Sequence, residues 1–390
     1  MNYRLFILVL GTFIIGTDDF VIAGLLPRIA NDMGVTIAAA GQLVTAFAVA
    51  YAIGAPVLGT LLFNMPVKAL LILSMFVFTI ANGLSAVVTS FELLFITRII
   101  AALAAAVFTP LAMAASTSLV ADTMRGKALS FVIAGITIGL ILGAPIGTWI
   151  GNAMTWRYSF VFVALVSLVT VIGVLLFLPK IEREASVSIK ERLKGFNKII
   201  FLTLCVSIIG TTGGFMTYTY IAPIITGITT IENIGVFLLI LGIGSLLGNL
   251  VGGYLTDRIG APTTLTLSLF GFAILLTAFS LLSILNPSTL ATILVGLVCL
   301  LWGIPGFGMN PALNAYLLSL NPKQASMILS FSASALYMGI GLGAFLGGGV
   351  ISLSSINYVG ISSGVLVFVA LMIFISVNKI AKKSLKTSVN

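Results

Sequence analysis

KIEREASVSIKERLKGFNK, residues Lys180–Lys198, is the one long polar connection in this chain of 390 residues. Six long apolar runs precede it and six follow it. Each run is long enough to cross a hydrocarbon core of roughly 30 Å, which takes about 20 helical residues. We place these runs at 4–27, 38–62, 68–89, 92–119, 127–150, 157–179, 199–222, 233–256, 261–284, 288–317, 325–349 and 356–378.

The polar connection therefore divides the chain into two halves. We predict an all-α membrane protein of twelve transmembrane helices, arranged as two pseudo-symmetric six-helix bundles. The first bundle comprises residues 1–180, the linker 181–198 and the second bundle 199–390. The first run resembles a signal peptide, but it contains Asp18 and Asp19 and lacks a clean cleavage site, so we expect a retained helix.

Composition excludes most other classes of protein. Hydrophobic residues make up 59% of the chain and charged residues 7%, whereas an ordinary soluble domain has roughly 25% charged residues. The chain has no histidine and two cysteines, both in apolar runs, which argues against a metal site, a disulfide scaffold or an enzyme. We therefore expect no cofactor and no metal. We also expect no nucleic acid partner, because the basic residues lie between apolar runs, as topology signals do.

The positions of the basic residues predict an orientation. With both termini in the cytoplasm, all of the 19 lysines and arginines lie on the cytoplasmic side except Arg28, Arg98 and Arg157. The positive-inside rule therefore places both termini and the linker in the cytoplasm. We expect the protein to lie in the inner membrane of the cell.

The two halves share a glycine pattern. Gly139, Gly143 and Gly147 in the fifth run recur as Gly339, Gly343 and Gly347 in the eleventh. Such repeats are common in membrane helices because they let backbones approach, so chance is one explanation. The equal division into six and six favours duplication.

Two motifs suggest moving parts. Gly253-Tyr254-Leu255-Thr256-Asp257-Arg258-Ile259-Gly260 connects two runs at the cytoplasmic side, where Asp257 and Arg258 can pair with helix ends and hold a gate shut. In the fifth run, Gly143 and Gly147 flank Pro145, which interrupts the helical hydrogen bonds and gives a flexing point.

These motifs, together with Arg98 and Thr17-Asp18-Asp19-Phe20, resemble the major facilitator superfamily. More narrowly, the chain is similar to the twelve-helix drug/proton antiporters, which include bacterial arabinose, sugar and purine efflux permeases. The glycine-proline motif is that branch's antiporter signature. One position departs from the pattern, since Phe63 stands where the family has an aspartate in the first-half copy of the Asp257 loop.

Three charged residues lie well inside predicted spans, away from the ends of the spans: Asp18, Asp19 and Arg98. An ion near the bilayer centre costs about 2.5–3.5 kcal/mol on insertion scales, so each is a functional candidate. At 1.5 Å per residue, Asp19 lies about 22 Å from the cytoplasmic side and Arg98 about 9 Å from the outer side. In a core of about 30 Å these depths nearly coincide, so we expect the three to form a proton-coupling site.

Neighbouring helical residues point about 100° apart, so only one aspartate can face a central cavity squarely. We choose Asp19, because the acidic position in the first helix of the resembled family aligns with Asp19 and Phe20. The alternative is a static pair between Arg98 and one aspartate, which is more expected for Asp18 than for Asp19.

The resemblance implies that the first, fourth, seventh and tenth helices line the cavity. Aromatic side chains with a few amides suit a neutral or cationic, partly apolar molecule or a planar base. Helix packing is the competing interpretation for each aromatic residue. The candidate substrate contacts are Phe20, Phe108, Thr109, Phe215, Tyr218, Tyr220, Trp302, Asn310 and Asn314.

The leading functional hypothesis is proton-coupled efflux of a small organic compound by a monomer. The substrate class left open is a drug, a purine or a sugar. Alternatives are an uncoupled facilitator or importer and, more weakly, a membrane scaffold that transports nothing.

The orientation can be tested with a reporter fused after Lys383. We expect a reporter that works only in the cytoplasm to be active there, because the basic residues hold this end inside. The same reporter inserted after Arg157 should be silent. Activity of an externally folding reporter after Lys383 would contradict the predicted orientation.

Overall fold

The computed structural model describes residues 3–181, 197–231 and 233–389, and these residues form helices and turns without a strand. Twelve helices are long and apolar enough to cross a membrane. The predicted twelve-helix membrane fold is therefore confirmed. The helices are α1 (Tyr3–Met33), α2 (Ile37–Leu61), α3 (Val67–Val87), α4 (Phe91–Ser118), α5 (Arg125–Ala153), α6 (Trp156–Phe177), α7 (Lys198–Thr219), α8 (Gly235–Ile259), α9 (Ala261–Leu282), α10 (Thr289–Leu320), α11 (Ala325–Leu353) and α12 (Val359–Val389).

Some helices extend beyond the apolar runs that predict them. α1 continues through Pro27 to Met33, and α12 continues to Val389. These added turns are polar, so they can remain helical in the headgroup region or in water, where apolarity is not required. After Tyr220, α7 is followed by a short helix, Ile221–Ile228. Most of the predicted linker, residues 182–196, lies outside the described residues.

The chain forms two compact units. The first comprises Met1–Ser186 and Asn233–Leu239, and the second comprises Val187–Glu232 and Ile240–Asn390. In the first unit α1 packs on α5 and α6, and α3 packs on α4 and α6. In the second unit α7 packs on α11 and α12, and α9 packs on α10 and α12. Helices six places apart in the chain thus have corresponding partners.

Glycines bring α5 and α1 into close contact. A methyl group added at Gly139 would lie 2.6 Å from the carbonyl oxygen of Phe13 and 2.7 Å from the amide nitrogen of Thr17. In the second unit, a methyl group at Gly343 would lie 2.6 Å from the carbonyl oxygen of Thr212 and 2.8 Å from the amide nitrogen of Met216. Backbone atoms cannot rotate away as side chains can, so these glycines set the spacing between the helices.

We predict that Gly139→Ala destabilises the protein by about 1–3 kcal/mol, the range of an overpacked core. Gly83→Ala in α3 is the control, because an added methyl there meets nothing within 4 Å. Alanine favours helix more than glycine does, so the control should be neutral or stabilising. Unfolding in mixed micelles measures both variants. Equal stability of the two would show that the α1–α5 spacing tolerates a side chain.

Candidate functional site: a buried ion pair and an aromatic group

A buried arginine joins three helices of the first unit. Arg98, in α4, donates from Nη1 to Oδ1 of Asp18 in α1 at 2.8 Å. Its Nη2 donates to Oδ1 of Asn82 at 2.9 Å and to Oγ of Ser85 at 3.2 Å, both in α3. The side chains of Arg98 and Asp18 have no exposed surface. Both terminal nitrogens of the planar guanidinium are thus engaged by fixed partners.

These contacts are necessary because a charge removed from water needs an opposite charge and hydrogen bonds. Asp18 supplies the opposite charge. Asn82 and Ser85 supply neutral acceptors, so the site gains hydrogen bonds without a second carboxylate. The arrangement binds α1, α3 and α4 to one another.

Asp18 and Asp19 have different surroundings although they are adjacent in α1. Asp18 is fully buried against Arg98, whereas Asp19 is partly exposed, with its Oδ1 atom buried. A step of one residue turns a helical side chain by about 100°, which accounts for the difference. Of the three residues predicted to form one coupling site, the structure thus brings Asp18 and Arg98 into direct contact.

Aromatic side chains gather in the second unit. The ring centroids of Phe215 and Tyr218, both in α7, lie 5.5 Å apart. The Tyr218 ring lies 6.4 Å from that of Trp302 in α10, and Trp302 lies edge-on to Phe279 of α9 at 5.5 Å. We call Phe215, Tyr218, Trp302 and Phe279 the aromatic group. Three of the predicted substrate contacts therefore meet in one place.

Other predicted contacts lie within helix packing. The Tyr220 hydroxyl donates to the carbonyl oxygen of Ala344 at 2.8 Å, and its side chain is fully buried. Phe108 is also fully buried, with its ring against Gly11. In this structure neither residue has surface to offer a solute. Both instead hold neighbouring helices together.

The remaining predicted contacts differ in exposure. Phe20 and Thr109 are buried, at 9% and 3% exposure. Asn310 and Asn314 are partly exposed on α10. The Asn314 side-chain oxygen accepts a hydrogen bond of 2.7 Å from Ser332 in α11. Asn314 thus has a structural partner, and Asn310 retains surface.

The predicted gate residues lie at a very short turn. α8 ends at Ile259 and α9 begins at Ala261, so Gly260 alone connects them, with φ at +84°. Only glycine adopts this conformation without strain, which explains the last glycine of the motif. Asp257 and Arg258 are exposed, and the Arg258 guanidinium lies 5.4 Å from the Tyr254 ring centroid. Their gating role stays a prediction.

The second predicted moving part is an irregular turn in α5. Gly139–Gly143 form a π-helical turn, with the Ala144 amide donating to the carbonyl of Gly139. Pro145 follows directly. Proline has no amide hydrogen, and its ring crowds the carbonyl four residues earlier, so wider winding relieves the clash. Gly143 and Gly147 are buried where α5 meets α1.

Comparison with known proteins decides the family. A model of the Major Facilitator Superfamily matches residues 8–331 of the chain. The protein belongs to this superfamily. It is a multi-pass membrane transporter and not an enzyme.

Relatives within the superfamily extend over nearly the full chain. The inner membrane transport protein YdhP of Escherichia coli (strain K12) is 31% identical over 385 residues, covering 97% of each protein. A chloramphenicol resistance protein of Streptomyces lividans is 29% identical over 381 residues, covering 96% of this chain and 95% of the relative. These similarities agree with the resemblance to drug-efflux members of the superfamily.

A solved structure has the same fold. The nucleoside transporter NupG aligns with a TM-score of 0.79 at 16% sequence identity, covering 97% of this chain and 100% of NupG. At this identity the likeness concerns the fold alone.

Several residues of the buried ion-pair site and of the aromatic group were not predicted from the sequence. Asn82 is the one amide side chain in α3, so a search for polar residues in spans would have found it. Ser85 and Phe279 carry no comparable signal. Serines are common in membrane helices, and Phe279 is one of 26 phenylalanines.

We predict that Arg98→Gln lowers the free energy of unfolding by roughly 3–5 kcal/mol, because it leaves the Asp18 carboxylate buried without its partner. Adding Asp18→Asn should recover part of the loss, since the double variant has no buried charge at this position. Unfolding of the wild type, both single variants and the double variant in mixed micelles gives the comparison. A double variant less stable than Arg98→Gln would contradict this account.

Proposed function

We propose that this transporter is a proton-coupled antiporter that exports a small organic compound by alternating access. It lies in the inner membrane with both termini in the cytoplasm. The distribution of basic residues supports the orientation. The named location of the Escherichia coli relative supports the membrane. Chloramphenicol resistance in another relative supports export of an organic compound.

The observation that carries the proposal is the different surroundings of Asp18 and Asp19. Arg98 binds Asp18, which has no exposed surface through which to exchange a proton with water. Asp19 has a partly exposed side chain. A carboxylate that alternates between two sides of a membrane must reach water in at least one state. We therefore assign proton carriage to Asp19 and a supporting role to Asp18 and Arg98.

In antiport, the proton and the substrate must favour different states of the transporter. In our proposal Asp19 accepts a proton from the outer side and releases it to the cytoplasm. Substrate leaves in the opposite direction. The free energy of the proton gradient then drives export against a substrate gradient.

The aromatic group supports a substrate that is planar or partly apolar. Tyr218 and Trp302 have large, rigid rings that favour such compounds with little loss of side-chain entropy. Both are buried here, at 4% and 3% exposure, so we assign their contact with substrate to another state of the transport cycle. Asn310, partly exposed on the same helix as Trp302, is the amide assigned to the substrate's polar groups. The proposal also assigns gating to Asp257 and Arg258 and flexing to Pro145.

Transport in liposomes tests the proposal. Purified protein is reconstituted, a pH gradient is imposed, and uphill movement of chloramphenicol, nucleobases, sugars and lipophilic cations is measured. For a transported compound, Asp19→Asn should abolish gradient-driven accumulation, because the amide cannot bind and release a proton. Exchange of substrate at equal pH should persist, since it needs no net proton movement.

Asp18→Asn is the matched control, with the same chemical change one residue away. We expect it to retain gradient-driven accumulation when equal amounts of folded protein are compared. Uphill transport by Asp19→Asn but not by Asp18→Asn would reverse the assignment within the pair. Normal pumping by both variants and by their double variant would favour an uncoupled facilitator.

A further inference from the structure

The guanidinium of Arg98 has an aromatic partner as well as its hydrogen-bond partners. Its central carbon lies 4.6 Å from the centroid of the Phe160 ring in α6. Phe160 has no exposed surface. An aromatic ring attracts a cation placed over its face, and the attraction increases when water is excluded. The Arg98 head group is thus held by hydrogen bonds to Asp18, Asn82 and Ser85 and by its position over the Phe160 ring.

Phe160 is itself held by the residue one turn earlier in α6. The Trp156 and Phe160 rings meet edge to face, with centroids 5.7 Å apart and an interplanar angle of 88°. Trp156 is 2% exposed, and its Nε1 donates to Oδ2 of Asp32 at 3.0 Å. The tryptophan ring therefore cannot turn without losing a hydrogen bond to α1.

A second ion pair lies at this end of the unit. Arg157 pairs with Asp32, and its Nη2 donates to the carbonyl oxygen of Val88 at the end of α3, at 3.0 Å. Its guanidinium also lies 4.3 Å from the Trp156 ring centroid. The ends of α1 and α3 and the start of α6 are thereby joined at one end of the unit.

A continuous series of contacts thus runs through the first unit. It begins at the exposed Asp32–Arg157 pair, passes through Trp156 and Phe160, and ends at the buried Arg98–Asp18 pair. Both ends are on α1, roughly 20 Å apart along the helix. α6 therefore connects two charged sites of one helix.

We infer that Phe160 is a positioning residue that directs the charge of Arg98 to Asp18 and away from Asp19. The ring holds the guanidinium in position, and Trp156 holds the ring. This role rests on the proposed function, because its effect is on the protonation of Asp19. Without the ring, Arg98 loses its aromatic contact and can turn between the two adjacent carboxylates.

Few other charges can influence this site. Of the helices packed against α1, α2 has no charged residue. The charged residues of α5 are Arg125 and Lys127, which lie in its first turn. α4 contributes Glu92 and Arg98, and α6 contributes Arg157 at its start. On α1 itself the others are Arg4, Arg28 and Asp32, all away from the pair.

The test measures gradient-driven transport against pH in liposomes for the wild type, Phe160→Leu, Phe160→Tyr and Phe374→Leu. In Phe160→Leu we expect half-maximal transport about one pH unit lower, because a closer positive charge favours the deprotonated form of Asp19. Phe160→Tyr keeps the ring face and should keep the wild-type profile. Phe374→Leu removes an equally buried ring in the second unit and should leave the profile unchanged.

A profile of Phe160→Leu that matches those of the wild type and Phe374→Leu would overturn the inference. A wild-type rate that does not depend on pH would instead overturn the proposed function. In that case the positioning role is tested by the free energy of unfolding of Phe160→Leu, Arg98→Lys and their double variant. Lysine keeps the charge but lacks the planar head group, so the ring should matter less in its presence. Strictly additive effects would also overturn the inference.

If Phe160→Leu does not yield folded protein, Phe160→Met replaces it in both measurements. Methionine is flexible enough to fill the space of the ring and has no aromatic face. The same shift in pH profile and the same non-additivity with Arg98→Lys are expected. Their absence in this variant would overturn the inference equally.

Discussion

A guanidinium buried in a membrane protein needs a partner for its charge, and this requirement organises the first unit. Arg98 could not be accommodated without Asp18, and the pair could not be buried without the hydrogen-bond acceptors of α3. Three helices are held in place as a result. The same contacts leave two adjacent carboxylates in different surroundings, with Asp18 fully buried and Asp19 partly exposed. The proposed coupling mechanism depends on that difference.

The second organising constraint is close packing of backbones. Without water to drive helices together, association in a membrane depends on van der Waals contact and hydrogen bonds, and glycine permits the closest contact. Gly139 and Gly343 serve this purpose in different halves of the chain, each against the first helix of its unit. Repeated pairings of helices in the two units follow from the repeated spacing. The packing of a membrane bundle can thus be specified by few residues, if those residues set the distances between its helices.

The fold was predictable from sequence because its signals are long and redundant. Twenty apolar residues in succession admit few interpretations, and one polar connection separates six such runs from six others. Individual sites carry far weaker signals. From the sequence, either of two adjacent aspartates could be the partner of Arg98, and the helical period indicates that their side chains point in different directions. Which of them contacts Arg98 depends on the rotation of α1 about its axis. Tyr220 was chosen because of its helix, whereas its hydroxyl turns to Ala344. Phe160 could not be singled out, because its importance lies in a contact between helices distant in sequence.

The π turn in α5 has a consequence for the symmetry of the halves. α5 and α11 begin and end at corresponding positions, Arg125–Ala153 and Ala325–Leu353, and their glycines match without a gap. α11 is nevertheless α-helical throughout, with Phe345 where α5 has Pro145. Equal length with different winding means that side chains beyond the π turn are rotated by about one residue's angle, near 100°, relative to their counterparts. Two similar halves of one chain can thus acquire different faces by substitution alone, without an insertion or a deletion to mark the change in an alignment.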